Sequence, residues 1–233
     1  MNINIVFPDD KEISFDSVTT ALEAVKIWKK ETLSYIVAVK INKTPVDLSY
    51  PIKENSKLDL IDISSSEGLS ILRHSISHVM AQAVQEIFPG AKVSIGPSIE
   101  DGFYYDFDYK EPFTIDDFAK IEKRMKDIIA ADHPFIREEL LREAAVKLFE
   151  ERKENYKVEL INDLPEDVKE VSIYKQGGYI DLCRGPHIPS TGMIKAFKLL
   201  NVAGAYCEAM KTTKCYSVFT VPVSPMKMNL TNI

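Results

Sequence analysis

The 233-residue chain has the composition of a folded protein of one or two domains, since 45% of its residues are apolar and only nine are glycine. Its 35 acidic and 29 basic residues give a net charge of −6, which excludes a broadly basic surface, so any nucleic-acid partner would have to be bound locally. No apolar run approaches the roughly 18 residues of a membrane span, and acidic residues stand where a signal peptide has basic ones. We therefore expect a soluble, cytoplasmic protein with no membrane partner. Its three cysteines are expected to be free thiols or ligands.

The first 63 residues are predicted to form a small α+β domain with a β-grasp-like arrangement. Apolar residues alternate along residues 3–7 and again along residues 36–41, which is typical of half-buried strands. Residues 17–30 carry apolar side chains at helical spacing, and a further strand is expected at residues 58–61.

The second region, residues 64–206, is predicted to be a larger α+β domain. It begins with a small, polar run over residues 64–68, which predicts a linker. Apolar residues at helical spacing then predict three amphipathic helices: residues 69–88, a segment that starts at Thr114, and residues 138–153. Residues 157–181 are predicted to be strands and loops.

Three of the four histidines occur in two motifs of equal spacing, His74-x-x-x-His78 and Cys183-x-x-x-His187. On a helix this spacing sets both imidazoles of the first motif on one face, about 6 Å apart, where they can converge on one group. Two interpretations remain open from the residues alone. One is a zinc site made from these four side chains, and the other is a metal-free hydrolytic site that uses them as acid, base and orienting donors.

Side chains close to these motifs in the sequence add further candidates. Asp181 precedes Cys183 by two residues, so both would point the same way on a strand. Lys157 could place an ammonium group nearby. Tyr104 and Tyr105 would face opposite sides of a strand, so only one of them is expected to line a site.

Four segments, HSISHVMAQAV, GPSIEDGFYYDF, ENYKVELI and GGYIDLCRGPH, resemble in order and separation the editing domain of bacterial threonyl-tRNA synthetase. The first 63 residues resemble the N-terminal TGS domain of that family, which has a β-grasp fold. The resemblance covers residues 1–206 and implies hydrolysis of mischarged seryl-tRNA(Thr), with the acceptor end of tRNA(Thr) as the partner. It maps the editing site onto His74, His78, Cys183 and His187, and the pocket onto Lys157, Asp181, Tyr105 and Tyr104.

The resemblance also implies a role for each group. His74 and His78 would position water and the terminal ribose, and His187 and Lys157 would transfer a proton or stabilise the oxyanion. Asp181 would bind the ammonium group of the substrate.

The resemblance favours a site without metal or any other cofactor. Related editing domains of the alanyl type bind zinc through the same four positions, whereas the threonyl type works without it. Cys183 would then be a pocket wall or a weak hydrogen-bond partner rather than a nucleophile, because no neighbouring base clearly serves a thioester route.

The chain departs from this family after Tyr206, where a full synthetase continues into an ATP-dependent catalytic domain and an anticodon-binding domain. We therefore expect a truncated ligase that does not bind ATP. Residues 207–233 hold one of the 35 acids and none of the arginines. If one base missing after Tyr206 is restored, the codons of residues 207–233 can be read as the next segment of the family. We therefore expect residues 207–233 to be an out-of-frame, disordered tail. The alternative functions are a non-catalytic tRNA-binding or interaction fragment and a zinc-dependent trans-editing hydrolase of the alanyl type.

Overall fold

The computed structural model describes residues 2–94, 98–99, 102–206 and 214–222, with residues 98–99, 203–206 and 214–222 described by their backbone alone. The chain divides into two compact units, Met1–Leu72 with Gly185–Ser190, and Arg73–Arg184 with Thr191–Ile233. Both units contain helices and strands, which confirms the predicted α+β class. Among the described residues, no helix is long and apolar enough to cross a membrane.

The described residues of the first unit form one five-stranded sheet, one two-stranded ribbon, one complete helix and the first turns of a second helix. Its elements are β1 (Ile3–Val6), β2 (Glu12–Phe15), β3 (Thr19–Thr20), α1 (Ala21–Lys29), β4 (Ile36–Ile41), β5 (Thr44–Val46), β6 (Pro51–Ile52) and β7 (Ser56–Asp62). The sheet order is β2-β1-β7-β4-β5, and β1 is parallel to β7 while the other pairs are antiparallel. A hairpin, then a helix, then a strand parallel to the first is the arrangement expected of a β-grasp domain.

Helix α1 forms because its sequence supplies both a cap and an apolar face. The Thr20 hydroxyl accepts a hydrogen bond from the Glu23 N–H at 3.2 Å, which satisfies one of the free donors at the helix start. The apolar face of α1 is buried in the core of the first unit. At the other end of the helix, Trp28 stacks on Phe7 with 5.0 Å between ring centroids, and its indole N–H donates to Asp9 at 2.9 Å.

Helix α2 (Ser66–Ile87) confirms the helix predicted at residues 69–88 but begins earlier. The run predicted to be a linker therefore provides the first turn of the helix, in which the Gly68 N–H donates to the Ser65 hydroxyl at 3.0 Å. A Cβ atom at Gly68 would lie 2.0 Å from the Asp62 carbonyl oxygen, so only glycine fits this close approach. Leu72 belongs to the first unit and Arg73 to the second, so α2 runs from one unit into the other.

In the part of the second unit that the structure describes, the chain forms two antiparallel sheets and, after α2, three further α-helices. Its elements after α2 are β8 (Lys92–Val93), β9 (Ser98–Ile99), β10 (Gly102–Asp108), α3 (Phe118–Ala130), β11 (Ile136–Leu141), α4 (Arg142–Glu151), α5 (Asn155–Asn162), β12 (Glu170–Gln176), β13 (Tyr179–Leu182), β14 (Phe197–Tyr206) and β15 (Lys214–Pro222). One sheet has the order β14-β15-β10-β8, with β9 also paired to β10, and the other has the order β11-β12-β13. The helix predicted from Thr114 begins at Phe118, after a short 3-10 turn.

Two predicted assignments in this unit are wrong. The helix predicted over residues 138–153 begins only at Arg142, because the preceding residues form β11 and pair with β12 from Ile136↔Lys175 to Leu141↔Glu170. Lys157 lies on helix α5 rather than in a strand or loop. For β11, a short sequence fits two periods and pairing with a distant strand decides between them. For Lys157, the helix α5 buries Ile161 in the core next to α4, which the sequence pattern does not indicate.

The tail also differs from the expectation of disorder. Residues Lys214–Pro222 form β15, which pairs with β14 on one side and with β10 on the other. This segment is rich in β-branched and aromatic residues, which favour strands whatever the origin of the sequence. The rest of the tail, residues 207–213 and 223–233, lies outside the described residues.

Candidate active site

Helix α2 brings the two histidines of the first motif together in the second unit. The rings of His74 and His78 lie 4.9 Å apart between centroids, at an interplanar angle of 78°. His78 is buried, whereas His74 is partly exposed. The helical spacing therefore places the pair as the sequence predicts, with one imidazole deep in the unit and the other nearer its surface.

The end of strand β13 brings Cys183 to this pair. Its sulfur lies 3.0 Å from Nε2 of His74, and the nitrogen and sulfur atoms of Cys183, His74 and His78 that could bind a metal all lie within 4.8 Å of one another. Two hydrogen bonds to Ser172 on β12 fix the Cys183 backbone. The Cys183 N–H donates to the Ser172 carbonyl oxygen at 3.2 Å, and the Ser172 hydroxyl donates to the Cys183 carbonyl oxygen at 2.5 Å. These bonds hold the Cys183 backbone at a defined position, and its thiol contacts His74.

Asp181 forms the centre of a second, deeper cluster. Its carboxylate is 1% exposed and lies 2.5 Å from the ammonium nitrogen of Lys157. The other carboxylate oxygen accepts hydrogen bonds from Tyr105 at 2.9 Å and from Tyr179 at 3.0 Å. Lys157 also donates to the Ser94 carbonyl oxygen at 3.1 Å. A buried charge is tolerated when it is paired and hydrogen-bonded, and both charges of this pair meet that condition.

The two clusters meet at His78, whose Nδ1 lies 3.6 Å from the Asp181 carboxylate. Burial lowers the pKa of His78 well below 6.5, and the positive charges of His74 and Lys157 lower it further. The imidazole is therefore neutral at neutral pH. A neutral imidazole carries one N–H donor and one acceptor nitrogen, so it can orient a water molecule or accept a proton.

The two tyrosines of the deeper cluster act as hydrogen-bond donors. Burial raises the pKa of Tyr105 and of Tyr179 well above 10, and the negative charge of Asp181 acts in the same direction. Both hydroxyl groups therefore keep their protons. Of the two neighbouring tyrosines predicted as alternatives, the structure joins Tyr105 to Asp181, while Tyr104 is partly exposed and lies on the opposite side of β10.

His187 belongs to the first compact unit, unlike the three other members of the predicted set. Its side chain is buried, and its backbone N–H donates to the Asp47 carboxylate at 2.8 Å. Its place beside His74, His78 and Cys183 stays a prediction.

Sequence reasoning missed the buried polar residues that surround the predicted ones. Tyr179 is the clearest case, because it precedes Asp181 by two residues on β13 and faces the same side, as the rule used for Cys183 would have indicated. Gln82 follows His78 by four residues on α2 and accepts a hydrogen bond from the side-chain amide of Gln176 at 3.2 Å. Spacing on the helix marks Gln82 as a neighbour of His78, whereas nothing in the sequence indicates Gln176.

The His74, His78 and Cys183 side chains are of the types that bind zinc. In a tetrahedral zinc site the bond lengths place a nitrogen and a sulfur ligand about 3.6 Å apart. The 3.0 Å between His74 Nε2 and Cys183 Sγ is shorter and corresponds to a direct hydrogen bond. This arrangement would have to open slightly to admit a metal ion.

Comparison with known proteins gives consistent matches. Residues 171–215 match the family described as the threonyl and alanyl tRNA synthetase second additional domain. The threonine–tRNA ligase of Carboxydothermus hydrogenoformans is 44% identical over 230 residues, which cover 99% of this chain and 36% of the relative. That of Nitratidesulfovibrio vulgaris is 52% identical over 172 residues, or 73% of this chain and 26% of the relative. The threonine–tRNA ligase of Desulforamulus reducens is 46% identical over 212 residues, which cover 91% of this chain and 33% of the relative. The chain thus spans between 26% and 36% of the length of these curated relatives.

Proposed function

Because the chain is homologous to threonyl-tRNA synthetases, we propose that its second unit hydrolyses the ester bond of mischarged seryl-tRNA(Thr). The partner would be the acceptor end of tRNA(Thr), which carries the ester. The observation that carries this proposal is the buried, neutral His78 beside His74 and the fixed thiol of Cys183.

A separate hydrolytic site is needed because serine and threonine differ by one methyl group. A methyl group in a binding pocket discriminates by only about 1–3 kcal/mol, which is too little for accurate protein synthesis. A second site that admits serine and excludes threonine by size would remove the wrong product and spare the right one.

Ester hydrolysis needs a positioned water molecule, an acceptor for its proton and a positive group near the developing oxyanion. Neutral His78 can accept a hydrogen bond from water, and partly exposed His74 can hold the terminal ribose. Lys157 supplies the positive charge, and proton transfer by His187 remains part of the proposal.

Asp181 is the residue proposed to bind the substrate ammonium. Its carboxylate already contacts Lys157, Tyr105 and Tyr179, and it is 1% exposed. A substrate ammonium would therefore have to share the carboxylate with Lys157 or displace it. We propose that Asp181 also fixes the position of Lys157, so loss of the carboxylate would disturb the charge near the ester as well as substrate binding.

The proposal is for a metal-free reaction. It rests on the resemblance to the threonyl type of editing domain, since the 3.0 Å between His74 and Cys183 differs from the separation of two zinc ligands by only about 0.6 Å. A zinc-dependent hydrolase remains an outcome of the test.

The test compares deacylation of seryl-tRNA(Thr) and threonyl-tRNA(Thr) by the full chain, in metal-free buffer and with added zinc. We expect faster hydrolysis of the seryl ester in both buffers. The double variant H74A/H78A should lose this activity. The matched control is H133A, which removes the histidine of the second unit that lies outside both clusters.

Equal rates on the two esters would overturn the proposed selectivity. Activity that appears only with zinc would overturn the metal-free mechanism. Binding of tRNA without any hydrolysis would identify a non-catalytic tRNA-binding fragment instead.

A further inference from the structure

The face of the β11-β12-β13 sheet that carries Asp181 extends beyond the two clusters. Directly paired residues of an antiparallel sheet point to the same side. The pairs Tyr174↔Asp181 and Arg137↔Tyr174 therefore form one row of side chains across the three strands. Neighbouring strands lie about 4.8 Å apart, so the Arg137 backbone lies about 10 Å from that of Asp181.

A second row on the same face starts at Cys183. Ser172 pairs with Glu139 on β11, and its hydroxyl and carbonyl groups hold the Cys183 backbone. Glu139 accepts a hydrogen bond from the Arg137 guanidinium at 3.0 Å. Both side chains of this pair are solvent-exposed in part, at 30% for Arg137 and 58% for Glu139, so the pair contributes little to stability and its arginine can exchange partners.

A groove of about 510 Å³ lies at this end of the sheet and includes Cys183 in its wall. Its charged lining consists of Arg137, Arg184, Glu139 and Glu170. Its apolar lining includes Leu164, Val171 and Leu182, which belong to the edge of the core that α4 packs against. Arg184 is exposed, and no carboxylate of the described residues forms an ion pair with it. The groove is thus continuous with the thiol beside His74 and carries two arginines.

The chemistry of the proposed substrate indicates what this groove would bind. A seryl ester at His74 and His78 is attached to the last nucleotide of an RNA strand, and the strand must leave the site across a neighbouring surface. The apolar lining can contact base and ribose faces, and arginine binds phosphate through two parallel N–H donors. In a chain of net charge −6, phosphate contacts have to come from such local cations.

We propose that Arg137 and Arg184 bind the backbone phosphates of the nucleotides that precede the terminal nucleotide of the tRNA. This proposal rests on the proposed function, because it takes the esterified 3′ end as the occupant of the histidine site. The Arg137 side chain would exchange Glu139 for phosphate when the strand binds.

The experiment uses the full chain with both arginines replaced, R137Q/R184Q. The matched control is R152Q, an exposed arginine at the end of α4 that does not line the groove. Each protein is assayed on seryl-tRNA(Thr) and on the seryl ester of adenosine, which lacks the preceding phosphates. Circular dichroism checks that each variant is folded.

We expect the double variant to raise KM for seryl-tRNA(Thr) about tenfold or more with little change in kcat, and to leave the adenosine ester unaffected. The slope of log KM against log salt concentration should fall by about 0.7 for each phosphate of the single strand that the variant no longer binds. Unchanged KM and salt slope, or an equal rise of KM for the adenosine ester, would overturn the proposal.

A failure of the proposed function is distinguishable from a failure of this inference. If the parent chain hydrolyses neither ester, the same variants are compared for binding of uncharged tRNA(Thr). Weaker and less salt-dependent binding by R137Q/R184Q, but not by R152Q, supports the phosphate contacts without any hydrolysis. Equal binding by all three proteins refutes them.

Discussion

Replacing Lys157 with methionine should destabilise the second unit by about 3 kcal/mol. The change keeps most of the side-chain volume but leaves the Asp181 carboxylate, 1% exposed, without the ammonium that lies 2.5 Å away. Removing one partner of a buried ion pair costs about 3–5 kcal/mol. We expect the lower end of that range because the hydroxyls of Tyr105 and Tyr179 would still donate to the carboxylate.

The companion variant D181N should cost more, because it removes the negative charge beside the buried Lys157 ammonium and replaces one of the two oxygens that face Lys157, Tyr105 and Tyr179 by an NH2 donor. The double variant K157M/D181N removes both charges. Its destabilisation should be smaller than the sum of the two single effects by at least about 2 kcal/mol, because each single variant includes the cost of the charge left behind.

Urea denaturation followed by far-UV circular dichroism measures these free energies. The chain offers an internal control, because its one tryptophan, Trp28, lies in the first unit and is stacked on Phe7. Trp28 fluorescence should report the same transition in all four proteins. Additive effects of K157M and D181N would refute the reasoning, since they would mean that the two charges do not depend on each other.

Three further predictions concern the same clusters. Y179F should destabilise the second unit by about 1.5–3 kcal/mol in urea denaturation, because it removes a hydroxyl that donates to a buried carboxylate at 3.0 Å; a change no larger than that of exposed Y35F would contradict this. The lowered pKa of His78 means that the unfolded chain binds a proton there that the folded chain does not, so stability should fall as pH drops below about 6.5, by at most about 1.4 kcal/mol per pH unit. H78Q should flatten that dependence, and an unchanged pH profile would show that His78 is not neutral in the fold. EDTA should leave seryl-tRNA(Thr) deacylation unchanged, whereas a decrease that added zinc restores would show a metal site.

The elements that could be predicted are those whose pattern is long and whose partners are near in sequence. The apolar residues of helix α2 repeat at helical spacing over more than five turns. The sequence therefore predicts the start of this helix to within three residues of its observed position. The boundary between β11 and α4 could not be predicted in this way. Its residues alternate and also fit a helical pattern, and only pairing of Glu138 with Ile173 on a distant strand decides for the strand.

The site shows the same division. The spacing of His74 and His78 fixes their neighbourhood because both lie on one helix, and the structure confirms that their rings adjoin. Lys157 on helix α5 and Asp181 on strand β13 form an ion pair that depends on tertiary packing. Local sequence spacing could therefore not predict it. Tyr179 is an intermediate case, because the strand rule that linked Asp181 to Cys183 also applies to it.

Helix α2 buries polar groups beside apolar core side chains such as Ile76 and Val79, and the proposed site gives a reason for the polar ones. Residues 75–84 are all buried, and among them are the polar side chains of Ser75, His78 and Gln82. Burying each of these groups requires a hydrogen-bond partner that an apolar residue would not need, and fully apolar replacements of buried polar networks are often neutral or stabilising. Burial and the nearby positive charges also keep His78 in its neutral form beside Asp181. A rigid, low-dielectric setting of this kind holds polar groups in the orientation that hydrolysis requires before the substrate arrives. The buried polar side chains of α2 thus lower the folding stability of the second unit, and the proposed hydrolysis gives a reason for their presence.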